Sequence, residues 1–320
     1  MTDQTTTAYV EKIIDECKEI KSFILRPSDP SVFQGIEAGA HIDLHIQGYV
    51  RQYSLCNGPD ERDILQIAVK KEPGSRGGSR AVHETIDTGD GVTISGPRNN
   101  FPLAPDAEAH LLIAGGIGIT PLLSMARYLG AGSVPYRLVY FARSWDHVAF
   151  REELETGIMR EHTDIVTGLS PEETSRELQR IITDQSSSTH IYACGPQPLL
   201  DTVKNIAGQE RPSATLHFEY FSKEPAPPSS DDRSFDVVLQ RSGKTFNVPA
   251  DKSIAAVLHE NGIDVPVSCE QGICGTCLTT VIEGEPDHRD EVLSDDMRDD
   301  GDLMALCVSR AKGDKIVIDL

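Results

Sequence analysis

Positive charge is scarce in this sequence: 30 Lys and Arg stand against 50 Asp and Glu, a formal balance of −20. So little cationic surface leaves few groups to displace counterions from a polyanion, which argues against nucleic acid or an anionic membrane as partner. Long hydrophobic runs are also missing. The most apolar stretch, LLIAGGIGITPLLSM at residues 111–125, is too short to span a bilayer and is interrupted by Gly and Pro. The amino-terminal MTDQTTTAYVEKIIDE is polar and acidic and contains no apolar signal core, so a cytoplasmic location is expected. No repeat recurs at periods of about 20 to 50 residues, as repeat arrays would require. The cysteine count of seven is odd, and in a reducing compartment this argues against a disulfide framework. What remains is ordinary for a folded protein, 38% hydrophobic and 25% charged over 320 residues, enough for two or three domains.

The texture changes along the chain. Through about residue 105 it reads as short strands between turns: HIDLHI alternates, ILQIAVK is a compact apolar strand and GDGVTISGP is a turn running into a strand. A small antiparallel β-barrel is the natural closure for such strands. From residue 106 to 224 apolar strands (HLLIAGG, YRLVYFA, HIYACGP) alternate with helical stretches (PLLSMARYL, PQPLLDTVKNI), the pattern of a doubly wound α/β domain. KEPAPPSSDD has linker composition, and 225–233 is assigned to a linker. In 234–320, SFDVVLQRSGKTFNVP reads as a hairpin turning at Ser242-Gly243. SIAAVLHENG reads as a helix with Ile254, Val257 and Leu258 on one face and Gly262 past its end, giving a small α+β module.

The cysteines of that module are spaced Cys269-x4-Cys274-x2-Cys277, with Cys307 after twenty-nine further residues. This is the plant-type spacing for a [2Fe–2S] cluster. Two irons need four thiolates converging on one small site, and Gly272 and Gly275 let backbone amides approach the sulfurs. A zinc site prefers paired CxxC knuckles, of which one is present, and a thioredoxin-type CxxC would leave Cys269 and Cys307 without a purpose. Cys17 and Cys56 read as small buried apolar residues.

An iron–sulfur centre moves single electrons and a nicotinamide gives a hydride, so a flavin is the expected converter between them. GSRGGSRAVHETI, Gly74 to Ile86, supplies a Gly-rich loop opening a helix, with Ser79 at its cap and Arg76 to meet a terminal phosphate dianion. In AGGIGITPLLSM, Gly115, Gly116 and Gly118 would admit a pyrophosphate to a helix start, with Thr120 as N-cap and Pro121 at the first helical position. At the end of YRLVYFA, Asp146 could accept from an adenosine 2′-hydroxyl and repel a 2′-phosphate, favouring NADH, while Arg143 points towards NADPH.

Taken in order, RQYS, the RGGS loop, GPRNNFPL, AGGIGITPLLSM, YACGPQPLLDTV, HFEYFS and CEQGICGTC resemble the phthalate dioxygenase reductase family over essentially the whole chain. The resemblance implies an FMN β-barrel domain, an NADH domain and a carboxy-terminal β-grasp ferredoxin domain, with FAD the lesser alternative to FMN. Electrons would pass from NADH through FMN and the cluster to a terminal Rieske-type oxygenase, and the protein would be a monomer. It further implies that Arg51, Tyr53 and Ser54 contact the flavin ring and ribityl chain, lined by Ala68, Val69 and Lys70. Gly77, Gly78 and Ser79 would hold the phosphate, Thr120 would sit near the isoalloxazine, Cys194, Gly195 and Pro196 beside the nicotinamide, and Phe221 near the flavin.

Hydride transfer then needs positioning rather than a side-chain acid or base. Between Glu283 and Asp302 lie ten acidic residues with Arg289 and Arg298 among them. This stretch reads either as a solvated face or as a docking surface for a basic partner patch, with Asp290 and Glu291 as its test positions and His288 at the surface. Two other functions fit the same motifs: a diaphorase or ferredoxin-type reductase for another acceptor such as a cytochrome, and a flavin/iron–sulfur redox sensor.

Overall fold

The strands of the first hundred residues wrap onto themselves. In the computed structural model, which describes residues 5–33, 35–61, 63–74, 77–209, 215–222 and 232–320, the chain divides into two compact units, Met1–Phe221 and Ser222–Leu320. Arg76 and nearly all of the expected linker fall outside the described residues.

In the first unit, β1 (Thr6–Cys17), β2 (Ile20–Pro27), β3 (His41–Ile46), β4 (Tyr49–Ser54), β5 (Leu65–Lys70) and β6 (Gly91–Arg98) form one antiparallel sheet in the order β4-β3-β6-β1-β2-β5. A bridge between Leu55 and Ile67 joins the two ends, so the sheet closes into a barrel and leaves no edge to aggregate. Inward residues Phe23, Leu25, Ile42, Leu44, Leu65 and Ile94 fill it, and α1 (Gly78–Thr85) adds Val82. From Thr6 the polar, acidic segment that contains no apolar signal core forms β1. It is the longest strand, and bulges between Val10 and Lys12 and between Asp15 and Cys17 reset its alternation.

Next come β7 (Ala109–Gly115), α2 (Ile119–Gly130), β8 (Tyr136–Ala142), α3 (Arg151–Leu154), α4 (Gly157–His162), β9 (Thr163–Thr167), α5 (Pro171–Thr183), β10 (Thr189–Cys194), α6 (Gln197–Ala207) and β11 (Leu216–Glu219). The sheet is wholly parallel, ordered β11-β10-β7-β8-β9. Its alternate residues supply two cores. Leu112, Ala114 and Tyr140 meet α2, whereas Leu111, Ile113 and Val139 meet Leu178 and Ile182 of α5 and Leu200 and Val203 of α6. Both faces are covered, as a parallel sheet requires. Arg127 of α2 rivets this sheet to the barrel: it pairs with Glu153 at 2.7 Å and donates to Gln66 Oε1 at 2.9 Å and to the Cys56 carbonyl at 2.6 Å.

At the amino-terminal ends of β7, β10 and β11 three histidines gather around Tyr192. His190 Nδ1 lies 2.9 Å from His217 Nε2, and the His217 ring stacks on Tyr192 at 4.2 Å. Burial, followed by the neighbouring histidines, lowers His110 and His217 to about 4, and burial followed by Arg98 lowers His41 in the barrel to about 4. The folded state therefore favours the neutral rings. Their contribution is complete above the unfolded value of 6.5 and is lost as pH falls towards 4. Thermal scans from pH 7 to 4 are expected to show a steep drop in unfolding temperature, and His217→Phe, which keeps the stack on Tyr192, should flatten part of it.

The second unit carries β12 (Phe235–Leu239), β13 (Thr245–Val248), α7 (Ile254–Glu260), β14 (Leu278–Glu283), β15 (Pro286–Asp287), α8 (Asp295–Asp300), β16 (Leu303–Ala305), β17 (Arg310–Ala311) and β18 (Lys315–Ile318). Its mixed sheet runs β13-β12-β18-β14-β16, with β12 and β18 parallel, beside a two-stranded β15-β17 pair. Ser253 caps α7 by accepting the Ala256 amide at 3.2 Å, and Ile254, Val257 and Leu258 bury against the sheet. This is the β-grasp arrangement. No helix among the described residues is long and apolar enough to cross a membrane.

Candidate functional site

The barrel's β4 carries Tyr49, Arg51 and Tyr53 on one side and Ser54 on the other, by the two-residue period of a strand. Arg51 lies over the Tyr49 ring at 5.1 Å and donates to the Val50 carbonyl, and Tyr53 leans on the barrel core. The glycine loop is pressed against this pair. A Cβ at Gly77 would fall 2.7 Å from the Tyr49 hydroxyl, and one at Gly78 2.9 Å from Arg51. Gly77, at φ +109°, is the N-cap of α1, so Ser79 is not the cap as expected. Ser79 lies one residue inside the helix and its Oγ accepts the Glu72 amide at 3.2 Å. Among the described residues no side chain caps α1, and a helix start bordered by Arg51 suits an anion. On β5, Val69 faces the barrel core and Ala68 the seam towards α2, while Lys70 pairs with Glu72.

The β7–α2 turn is built against the β10–α6 turn. A Cβ at Gly115 would sit 2.7 Å from Leu199 and 2.8 Å from Pro196, and one at Gly118 would sit 2.2 Å from the Cys194 carbonyl. These two glycines therefore let the turns touch, and Gly116, at φ +56° with open space around it, is the one that faces outward. Gly118 is the N-cap of α2. Thr120 and Pro121 lie inside the helix, correcting the expected boundary, and the Thr120 hydroxyl donates to the Ile117 carbonyl at 3.1 Å. Gly195 touches Gly115 across the same contact, and Phe221 is exposed at the end of the unit. Arg143 and Asp146 are both exposed beyond β8, and the Asp146 carbonyl accepts the Lys18 amide at 2.9 Å.

Glu219 was not singled out from the sequence, although a carboxylate between aromatic residues in HFEYFS was a visible signal. It ends β11 opposite Cys194, and Ser54 donates to its Oε2 at 3.2 Å. The residue as a whole is only half-buried, yet its carboxyl group is enclosed, and burial raises it to about 8 against a smaller lowering by Ser54. Burial also raises the Cys194 thiol, with Glu219 adding to the shift. The neutral acid is thus the folded-state form: its contribution is full below 4.5 and is lost as pH rises through about 8. NADH-driven flavin reduction should slow roughly tenfold as pH rises through about 8, where the charge appears in the folded protein, the effect of ~1.4 kcal/mol of repulsion from it. Stopped-flow traces of Glu219→Gln should lack the dependence.

In the second unit the four spaced cysteines converge. The Cys269 thiol contacts those of Cys274 and Cys307, and Cys277 contacts Cys307. These contacts push Cys269 and Cys277 down, aided at Cys269 by the Gln271 and Ile273 amides, while Cys274 and Cys307, as donors, go up. The Gln271 amide lies 3.3 Å from Cys269 Sγ and the Thr276 amide 3.5 Å from Cys274 Sγ. Gly272 and Gly275 have φ of +71° and +76°, which turns those amides inward. Among the described residues no group of three or more His, Cys, Asp or Glu side chains suits a single metal ion. Four thiols in mutual contact, with backbone amides directed at Cys269 and Cys274, fit a two-iron cluster.

The acidic segment is exposed at Glu283, Glu285, Asp299, Asp300 and Asp302 but not throughout. Asp290 is buried, Arg289 is held between Asp232 and Asp287, and His288 is largely covered rather than at the surface.

Three family models match the chain: an oxidoreductase FAD-binding domain over residues 7–102, an oxidoreductase NAD-binding domain over 112–205, and a 2Fe-2S iron-sulfur cluster binding domain over 237–312. A vanillate O-demethylase oxidoreductase from Pseudomonas sp. (strain HR199 / DSM 7063) is 44% identical over 295 residues, covering 92% of this chain and 93% of that one. The solved phthalate dioxygenase reductase, described as a modular structure for electron transfer from pyridine nucleotides to [2Fe-2S], superposes with a TM-score of 0.73 at 39% identity, covering 99% of this chain and 98% of that one. An intact type IV self-sufficient cytochrome P450 monooxygenase gives a TM-score of 0.89 at 36% identity, covering 99% of this chain and 41% of that one.

Proposed function

From the premise that this chain belongs to the phthalate dioxygenase reductase family, we propose that it is the reductase component of a Rieske-type oxygenase, taking electrons from NADH through FMN to a [2Fe–2S] cluster. The convergence of Cys269, Cys274, Cys277 and Cys307 in a chain that also holds a flavin barrel and a nucleotide sheet carries this reading. When bound, the nicotinamide supplies a hydride, the flavin divides it into single electrons, and the cluster passes these on one at a time.

The protein's own part is binding, orientation and electrostatics. Arg51 with Gly77, Gly78, Ser79 and the start of α1 would hold a phosphate dianion, and Arg76 would join them. Tyr49, closed over Gly77, supports a cofactor that ends at that phosphate, hence FMN. Tyr53, Ser54 and the strand Ala68-Val69-Lys70 would orient the flavin, with Thr120 and Phe221 beside it. Gly116 would admit the pyrophosphate, with Gly115 and Gly118 shaping the turn beneath it. The Cys194-Gly195-Pro196 turn would seat the nicotinamide. Exposed Asp146 would accept from the adenosine 2′-hydroxyl, favouring NADH over NADPH despite Arg143. Glu219 keeps its proton at neutral pH and spares the site a negative charge. The four thiolates would ligate the irons. The protein would act as a monomer in the cytoplasm.

An anaerobic visible spectrum before and after one equivalent of NADH tests the reading. Flavin bands over a broad iron–sulfur absorbance should both bleach. Bleaching of the flavin alone would remove the cluster from the path. Transfer to a purified Rieske oxygenase, measured by its NADH-dependent reduction, tests the partner. The likeness to a region of a P450 chain favours a haem monooxygenase as the second acceptor to try.

A further inference from the structure

Buried carboxylates are costly unless hydrogen bonds and cations surround them. Asp290 is such a group: its side chain has 0% exposure. Its Oδ2 accepts the Leu293 amide at 3.0 Å, and its Oδ1 accepts the Ser309 hydroxyl at 3.2 Å. Ser309 Oγ in turn accepts the Arg289 amide at 3.3 Å. Arg298 donates to the Asp290 carbonyl, its guanidinium lies 4.0 Å from Oδ2, and His288 Nδ1 is 3.6 Å from Oδ1.

The neighbours of this carboxylate belong to both halves of the cysteine set. Ser309 lies two residues beyond Cys307. On the other side, the Glu291 amide donates to the Gly272 carbonyl at 2.9 Å, and Gly272 lies between Cys269 and Cys274. The fit is tight, because a Cβ at Gly272 would come within 2.5 Å of Val308 Cγ2 and 3.0 Å of Asp290 Cα. Residues 289–291 thus form a short bar with the Cys307 segment bound at one end and the loop of the other three thiols at the other.

We propose that Asp290 is a positioning residue for the cluster, fixing the Cys307 segment against the Cys269–Cys277 loop and lowering the cluster's reduction potential by its charge. This rests on the cluster reading above. Groups bonded behind a metal's own ligands set ligand geometry and tune the metal. Reduction adds one electron, so a nearby anion disfavours the reduced form and its removal favours it. Asparagine has the same shape but an NH2 in place of one acceptor oxygen, so it cannot accept both the Leu293 amide and the Ser309 hydroxyl as the two carboxylate oxygens do, and it carries no charge.

The test uses the full chain as wild type, Asp290→Asn and Ser309→Ala, with iron and acid-labile sulfide content, low-temperature EPR of the reduced protein and a spectroelectrochemical titration. Asp290→Asn should shift the cluster potential upward and change the EPR g values. Ser309→Ala, which keeps the charge, should change the g values with a smaller shift in potential. Loss of iron from Asp290→Asn with flavin content unchanged would also support the positioning role. Asp290→Asn with wild-type potential and EPR overturns the proposal, even if its unfolding temperature falls. A wild type with no iron–sulfur EPR signal would instead overturn the cluster reading.

Discussion

Replacing Cys307 with serine is expected to abolish electron delivery to a protein acceptor while NADH still reduces ferricyanide through the flavin at close to the wild-type rate. The split follows from where the residues lie. The flavin and nucleotide elements fall within residues 1–221, a compact unit with its own cores, and Cys307 belongs to the other unit. Its thiol contacts both Cys269 and Cys277, so a hydroxyl there removes one of four ligands and two of the contacts that gather the set. Iron analysis, the visible spectrum and steady-state assays with both acceptors check the outcome. Equal loss with both acceptors would mean that the thiols support the fold of the whole chain rather than a carrier.

The second large effect comes from one methyl group. At Gly118 the backbone is ordinary, with φ of −62°, so alanine meets no conformational penalty there. The obstacle is the Cys194 carbonyl, 2.2 Å from where its Cβ would be, with the Gly195 amide nitrogen at 2.7 Å. Both belong to backbone that cannot swing aside, so α2 or the β10–α6 turn must move. Overpacking of this kind costs about 1–3 kcal/mol. A displacement of about 1 Å between reacting groups costs roughly a hundredfold in rate. Gly118→Ala is therefore expected to fold with a lowered unfolding temperature and to reduce its flavin with NADH about a hundredfold more slowly. Gly132→Ala, which meets only ordinary contacts at 3.5 Å, should be silent in the same stopped-flow and thermal experiments.

Much of this was legible in sequence because the relevant physics is local. The spacing of Cys269, Cys274, Cys277 and Cys307 states a ligand geometry directly, and the alternation of apolar strands with helices states a parallel sheet. Features set by distant partners were harder to read. Ser79 and Thr120 have the residue type of helix caps, yet Gly77 and Gly118 hold those positions because each backbone lies too close to a neighbour for any side chain. Asp290 sits in a run of acids and read as a surface charge. Its burial is tolerable only because Ser309, nineteen residues away, and the Leu293 amide satisfy it. Glu219 was hidden likewise, since burial by elements distant in sequence raises its carboxyl, and its hydrogen-bond donor Ser54 lies 165 residues earlier.

Arg127, which ties the barrel strand at Gln66 and the Cys56 carbonyl to Glu153 of the nucleotide half, has a consequence for how such a protein changes over evolutionary time. A joint whose five hydrogen bonds are shared among residues from both halves is not readily inherited piecemeal, so these two halves are expected to travel together as one heritable part. No comparable rivet is needed within the cysteine-bearing module for the hydride step. As a separate compact unit, that module is expected to be exchangeable for another one-electron carrier while the hydride-handling part keeps its tuning.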